Sequence, residues 1–271
     1  MAQRLRSTIA SGPRDELQMS LVEHLDELRS RIIKVAIAFI LVAIVAWFFR
    51  AQVFEWLLAP ADVLGGELYF TSVTAPIITD VKITLYVGLM ITLPWAIYQG
   101  WSFIAPAVGT GGRLFTYTLT ALSSLLFLGG AAFGYYLVMP LAMDFLIGWG
   151  GDRFEQIITA DTYLAFVTRF LLAFGVAFEV PAATYVGAKL GIINAPALRK
   201  YRRHALMVNL VAAALITPAD PFSLVLLAVP LILLYEVSIF IARAVNPVDP
   251  EEELEEYDPE DEEDEEDTDG R

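Results

Sequence analysis

The chain has 271 residues, 56% of them hydrophobic, a mean hydropathy of +0.57 and no cysteine. That composition marks a polytopic membrane protein and excludes a disulfide framework, a thiolate metal site and a catalytic thiol. The net charge of −14 belongs to the tail, since 16 of the 32 acids lie between Asp249 and Asp269, leaving 16 acids against 17 bases before them.

Residues 1–20 read as a polar tail carrying Arg4, Arg6 and Arg14. Ser20 and Glu23 have capping-box spacing, and Leu21, Leu25 and Leu28 recur at helical spacing as an amphipathic turn at the interface. Glu27 and Arg31 stand four apart on its polar face. The first apolar run begins at about Ile32 and is long enough to stay as a helix rather than leave as a cleaved signal. It is expected to end at Phe49, in a Trp47-Phe48-Phe49 interfacial belt. A short interfacial helix is expected at about Val53–Leu58 within the loop from Arg50 to Pro76.

Helix two is expected over Ile77–Tyr98, with Asp80 and Lys82 at its outer end and Pro94 near its inner end. An inner loop follows from Gln99 to Arg113. Its glycines are no phosphate cradle, because no strand precedes them and no Gly-Lys-Ser/Thr follows. Helix three is expected over Leu114–Val138, stopped by Pro140, with an outer loop from Leu141 to Asp161. Helix four covers Asp161–Leu190, and a basic loop from Gly191 to Arg203 follows. Helix five (His204–Ile216) and helix six (Phe222–Ala242) are expected to be short, joined by the turn Thr217-Pro218-Ala219-Asp220-Pro221. The acidic tail, 246–271, has too few apolar residues to fold and is expected to be disordered. No internal repeat is visible.

The fold class is therefore all-α, with six membrane helices in residues 21–245. Arginines and lysines set the orientation. One side collects Arg29, Arg31, Arg113, Lys189, Arg199, Lys200, Arg202, Arg203 and Arg243 besides the N-terminal arginines; the other has only Arg50 and Arg153. The positive-inside rule puts the first side, with both termini, in the cytoplasm.

Helix four contains one carboxylate, Glu179, about 18 residues from Asp161 and about 11 from Leu190. An acid at that depth costs on the order of 2.5–3.5 kcal/mol, so intramembrane acids mark pathways or partner sites unless a neighbouring hydroxyl holds them. Pro181 removes a backbone donor two residues on and frees a carbonyl.

Five motifs in register resemble the TatC family, the multispanning receptors of the twin-arginine protein translocase. The H-L-x-E-L-R-x-R pattern stands at His24–Arg31, and the helix-two and inner-loop pattern runs from Pro94 through Tyr98-Gln99-Gly100-Trp101-Ser102-Phe103-Ile104-Ala105-Pro106. F-G-x-x-F-E-x-P stands at Phe174–Pro181, followed by Leu198-Arg199-Lys200 and the T-P-x-D-x-x-S turn at Thr217–Ser223. The resemblance covers about Leu21 to Ala244.

The resemblance implies a multi-pass cell-membrane receptor for folded cargo with twin-arginine signals, and no enzyme or cofactor. It assigns signal-peptide binding to Glu27 with His24, Asp26, Arg29, Phe103 and Pro106. It assigns an intramembrane polar site and partner contact to Glu179, Pro181, Thr217 and Asp220. The implied partners are the signal peptides, TatA- and possibly TatB-like single-span subunits, further copies of the chain and membrane lipids, with no nucleic acid and with the proton gradient as drive. A carboxylate suits paired arginines, because it accepts both arms of a guanidinium fork that lysine lacks. Two positions depart from the family: Gly112 stands where a second carboxylate is usual, and Leu224 where a glutamine often follows the turn serine. The competing reading is a proton- or ion-coupled solute transporter with a relay of Glu179, Arg169 and Lys82.

Overall fold

The computed structural model describes residues 21–60, 68–108, 113–149, 157–217 and 220–247, with the side chains of 21–23, 105–108 and 113 excepted. The expected tails, 1–20 and nearly all of 246–271, thus lie outside the described residues. Helix α1 (Leu21–Phe48) joins the amphipathic turn and the first span in one piece, since no glycine or proline interrupts Arg29-Ser30-Arg31. Helix α2 (Arg50–Leu58) is the expected interfacial helix, three residues longer at its start. Two tyrosines hold it down: Tyr135 donates its hydroxyl to the Trp56 carbonyl and Tyr163 donates to the Leu57 carbonyl at 2.9 Å.

Prolines proved poor guides to helix ends. Helix α3 (Ala75–Val108) runs through Pro94 and on past the expected end at Tyr98, so the region expected as inner loop is helical as far as Val108. In a medium without water a backbone group that leaves the helix finds no partner, and one missing donor does not break the ladder. Helix α4 (Arg113–Phe133) likewise does not stop at Pro140. It passes through a π-turn (Gly134–Val138) into α5 (Met139–Gly148). The Met139 amide reaches back five residues to the Gly134 carbonyl, and Pro140 enters at the start of the next stretch, where its missing N–H is tolerated.

Helix four is two helices, α6 (Ala160–Ala177) and α7 (Val180–Lys189), broken at Phe178-Glu179 just before Pro181. The Thr159 hydroxyl caps α6 by accepting the Thr162 amide. The basic loop contains a short helix, α8 (Ala195–Lys200), capped by Asn194. Helix α9 (Arg202–Ile216) has 15 residues and reaches about 22 Å, short of a hydrocarbon core of about 30 Å. Helix α10 (Pro221–Val245), expected to be short beside it, runs 25 residues, long enough to cross the membrane. It continues three residues beyond Ala242 and ends where the Asn246 amide bonds the Ala242 carbonyl.

Five helical stretches among the described residues are long and apolar enough to cross a membrane: His24–Phe48, Ala75–Ile104, Leu114–Gly148, Ala160–Lys189 and Pro221–Val245. Helix α9 is the short sixth. Their outer faces carry apolar side chains at helical spacing, such as Ile33, Ile37, Ile40 and Ile44 on α1, all exposed. Such a stripe suits lipid, not water.

The core is built around α6, where Val167, Phe170 and Phe174 are fully buried. Glycines let α4 approach it: a Cβ on Gly175 would lie 2.4 Å from the Phe127 ring, and one on Gly130 would lie 2.6 Å from the Phe174 carbonyl oxygen. At the opposite, outer end, Tyr69 and Thr159 form a parallel bridge between two loops, with Tyr69 N–H donating to the Ile158 carbonyl and Ala160 N–H to the Tyr69 carbonyl.

Candidate functional site

Two sites stand out at and above the basic end. The first lies where α1 crosses α3. Glu27 Oε1 accepts from Arg31 Nε at 3.1 Å and Nη2 at 2.5 Å, the expected pair one turn apart. Arg31 spends its remaining donors on α3, giving Nη1 to Gln99 Oε1 at 3.0 Å and Nη2 to the Ser102 carbonyl at 3.2 Å. This fork ties the two helices together. The second oxygen of Glu27, Oε2, is buried and has no hydrogen-bond partner. Beside it His24 stacks on Phe103, with ring centroids 4.1 Å apart and planes 15° from parallel.

From this polar mouth an apolar groove of about 420 Å³ climbs between α1 and α3. Arg31, Gln99 and Phe103 line its lower end; Val35, Phe39 and Leu93 line the rest. Of the residues expected to bind signal peptides, His24, Glu27 and Phe103 are thus brought together. Asp26 and Arg29 are exposed beside them. The side chain of Pro106, like Gly112, lies outside the described residues.

The second site is the break between α6 and α7. Glu179 stands at the start of α7, half-buried, about 15 Å along α7 from Lys189. Its carboxyl is approached by the Ser123 hydroxyl and by the main chain at Phe127, both on α4. Ser123 is fully buried and accepts the indole N–H of Trp101, on α3, at 3.0 Å. An indole can only donate, so the serine's own proton is left for Glu179. The other carboxyl oxygen, Oε1, is buried without a partner. The hydroxyl that a structural reading of this acid requires is present, but it fills only part of the acceptor capacity.

The remaining members of the expected intramembrane set are elsewhere. Thr217 and Asp220 lie at the outer turn between α9 and α10 and bond locally: Thr217 to the Ala213 carbonyl, and Asp220 Oδ1 to the Ser223 amide at 2.7 Å as the cap of α10. Their spacing reflects helix ends, not convergence on Glu179. Of the supposed relay, Lys82 pairs with Asp161 at 2.5 Å near the outer end and shares a niche with Arg169. Glu179 lies ten residues, about 15 Å, beyond Arg169 along the chain.

Sequence reasoning gave no role to Gln99, Ser102, Trp101 or Ser123. The first three were visible as hydrogen-bonding residues in the Tyr98–Pro106 motif, and Ser123 as a serine inside an apolar helix.

A family model described as Sec-independent protein translocase protein (TatC) matches residues 23–230. The chain belongs to the TatC family. The TatC protein of Carboxydothermus hydrogenoformans is 38% identical over 234 residues, covering 86% of this chain and 96% of the relative. That of Escherichia coli K12 is 37% identical over 226 residues, covering 82% and 88%. A crystal structure of a twin-arginine translocase receptor TatC superimposes with a TM-score of 0.77 at 39% identity, covering 82% of this chain and 99% of the other. Membership makes the chain a receptor subunit of the twin-arginine translocase, a multi-pass protein of the cytoplasmic membrane and no enzyme.

Proposed function

We propose that twin-arginine signal peptides dock at the cytoplasmic mouth of the α1–α3 groove, with Glu27 as the primary acceptor. The observation that carries this reading is the unpartnered Glu27 Oε2 at the foot of an apolar groove. Arg31 satisfies one oxygen and leaves the other for an incoming guanidinium. A second arginine has the stacked His24–Phe103 surface beside it, and Asp26 within the same helical turn supplies charge that Gly112 does not. The apolar run of a signal then follows the groove upward. Arg29, exposed nearby, orients the acidic or polar flank of the peptide, and Pro106 belongs to the same binding set by its place in the family motif.

Recruitment of TatA- and TatB-like single-span partners takes place at the Glu179–Pro181 break, where a buried acceptor and a disrupted backbone ladder both seek donors. Thr217 and Asp220 form a separate outer partner contact. Several copies of the chain assemble in the membrane, and the proton gradient drives passage of folded cargo where the short α9 thins the bilayer. Residues 1–20 and 246–271 are cytoplasmic tails flanking the membrane domain.

The test is binding of a fluorescent twin-arginine peptide to the protein in nanodiscs, against a twin-lysine control. Tight binding that is lost on the arginine-to-lysine exchange is expected. Equal binding of both peptides would overturn the reading.

A further inference from the structure

The crevice between α3 and α6 has a polar upper part that neither proposed site uses. Lys82 and Asp161 face each other across it at 2.5 Å, and both are nearly half exposed. Arg169 lies eight residues, about 12 Å, further along α6. It is exposed and has no ion-pair partner among the described residues. Between them is a niche of about 100 Å³ lined by Thr79, Lys82, Asp161, Thr168 and Arg169. Thr168 commits its hydroxyl to the Leu164 carbonyl at 2.6 Å, whereas Thr79, only 2% exposed, has a hydroxyl with no partner. Two cations and one anion give the niche a formal charge of +1. It therefore offers a guanidinium, an ammonium and a buried hydroxyl to an anion that is missing from the chain itself.

Depth says which anion. Centred on a hydrocarbon core of about 30 Å, the 30-residue stretch Ala160–Lys189, at most about 45 Å long across its break, projects by up to about 7 Å at each end. The Arg169 backbone then sits about 6 Å below the outer boundary. Side chains lean toward the N-terminus of their helix, which for α6 is the outer end, so Arg169 reaches up to headgroup level. Below the niche the crevice continues as an apolar cavity of about 310 Å³ that shares Tyr86 and Thr168 with it. Ile91, Leu128 and Ala132 line this cavity and are exposed, so it opens sideways to the hydrocarbon. At about 310 Å³ it holds less than one full turn of a transmembrane helix about 10 Å across, and has room for much of one acyl chain.

We propose that this crevice binds one anionic phospholipid of the outer leaflet, its phosphate in the Thr79–Lys82–Arg169 niche and one acyl chain in the apolar cavity below. The phosphate takes a charge-assisted fork from Arg169 and a hydrogen bond from Thr79, while Asp161 keeps Lys82 in place. A zwitterionic lipid brings its own cation and gains less from the surplus charge.

Native mass spectrometry of the delipidated protein in detergent, titrated with phosphatidylglycerol, phosphatidylcholine or inorganic phosphate, tests this. One phosphatidylglycerol is expected to be retained, with phosphatidylcholine at least about tenfold weaker. Arg169→Gln should erase that preference and Arg169→Lys should keep most of it, which separates lost charge from misfolding. Ala132→Trp, at an exposed position, should weaken phosphatidylglycerol binding by filling the tail cavity. Equal retention of the two lipids, or a preference that survives Arg169→Gln, would overturn the proposal. So would saturation by inorganic phosphate with the same thermal stabilisation as the lipid, which would assign the niche to a free anion. Loss of assembly with single-span partners in Arg169→Gln, with phosphatidylglycerol binding intact, would assign it to a partner helix.

Discussion

Trp101 Nε1 donates to Ser123 Oγ at 3.0 Å, and this bond leaves the serine's own proton available to Glu179. With a lone pair taken by the indole, the hydroxyl proton is free to turn to the carboxyl. Three helices thus meet at one intramembrane acid: α3 through Trp101, α4 through Ser123 and the α6–α7 break through Glu179. Ser123→Ala removes the link and leaves the indole N–H and the carboxyl without that partner. The expected cost is about 1–3 kcal/mol of stability in detergent, together with reduced export of a twin-arginine reporter. Glu179→Ala should lose export while the protein still inserts in the membrane. Unchanged export in Glu179→Ala would remove the acid from the mechanism.

At the cytoplasmic mouth, Glu27 and Arg31 separate recognition from structure. Glu27→Gln keeps the side-chain shape and an acceptor but loses the charge that a guanidinium needs. Crosslinking to a twin-arginine peptide should fall at least about tenfold with little change in thermal stability. Arg31→Lys should do the reverse of that split. A lysine cannot serve Glu27, Gln99 and Ser102 together, so the α1–α3 crossing loosens and melting falls. Crosslinking retained in Glu27→Gln would place recognition elsewhere.

Gly175 and Gly129 give a paired test of the packing that holds these sites. A Cβ at Gly175 meets the Phe127 ring at 2.4 Å, and Phe127 is only 1% exposed and has nowhere to swing. Gly175→Ala should cost about 1–3 kcal/mol, read as a lower melting temperature. At Gly129 nothing lies within 4 Å, so Gly129→Ala should be neutral or raise stability by up to about 1 kcal/mol through helix propensity alone.

What could be read in advance was what local physics controls. Apolar runs located the membrane helices, and the four-residue spacing of Glu27 and Arg31 foretold their pair. Helix ends at prolines were not legible, because the three prolines met three environments. Pro94 sits in an unbroken helix, Pro140 follows a π-turn whose Gly134 packs on Phe174, and Pro181 follows a true break. Partners set by the register of neighbouring helices, such as Gln99 for Arg31 and Ser123 for Trp101, leave no periodic trace. The resemblance grouped Thr217 and Asp220 with Glu179, whereas their bonds are local, each to its own helix end.

The break at Glu179 can be separated from the acid it presents. Phe178 N–H bonds the Phe174 carbonyl at 3.0 Å, Glu179 N–H reaches only three residues back to Val176 at 3.0 Å, and the regular ladder resumes with Ala183 N–H on the Glu179 carbonyl at 2.9 Å. Pro181 has no N–H to give to the Ala177 carbonyl, which keeps the two helices from fusing. Pro181→Ala restores that donor and raises helix propensity, a gain of up to about 3 kcal/mol. It also trims a buried side chain and leaves a void that offsets part of the gain, by about 1–2 kcal/mol. Stability should therefore stay the same or rise, while Glu179 turns with the straightened helix away from Ser123 and export falls. Amide hydrogen exchange at residues 177–182 should slow in the same variant. Export at the parental level with slowed exchange would mean that the break is dispensable and that only the carboxylate matters.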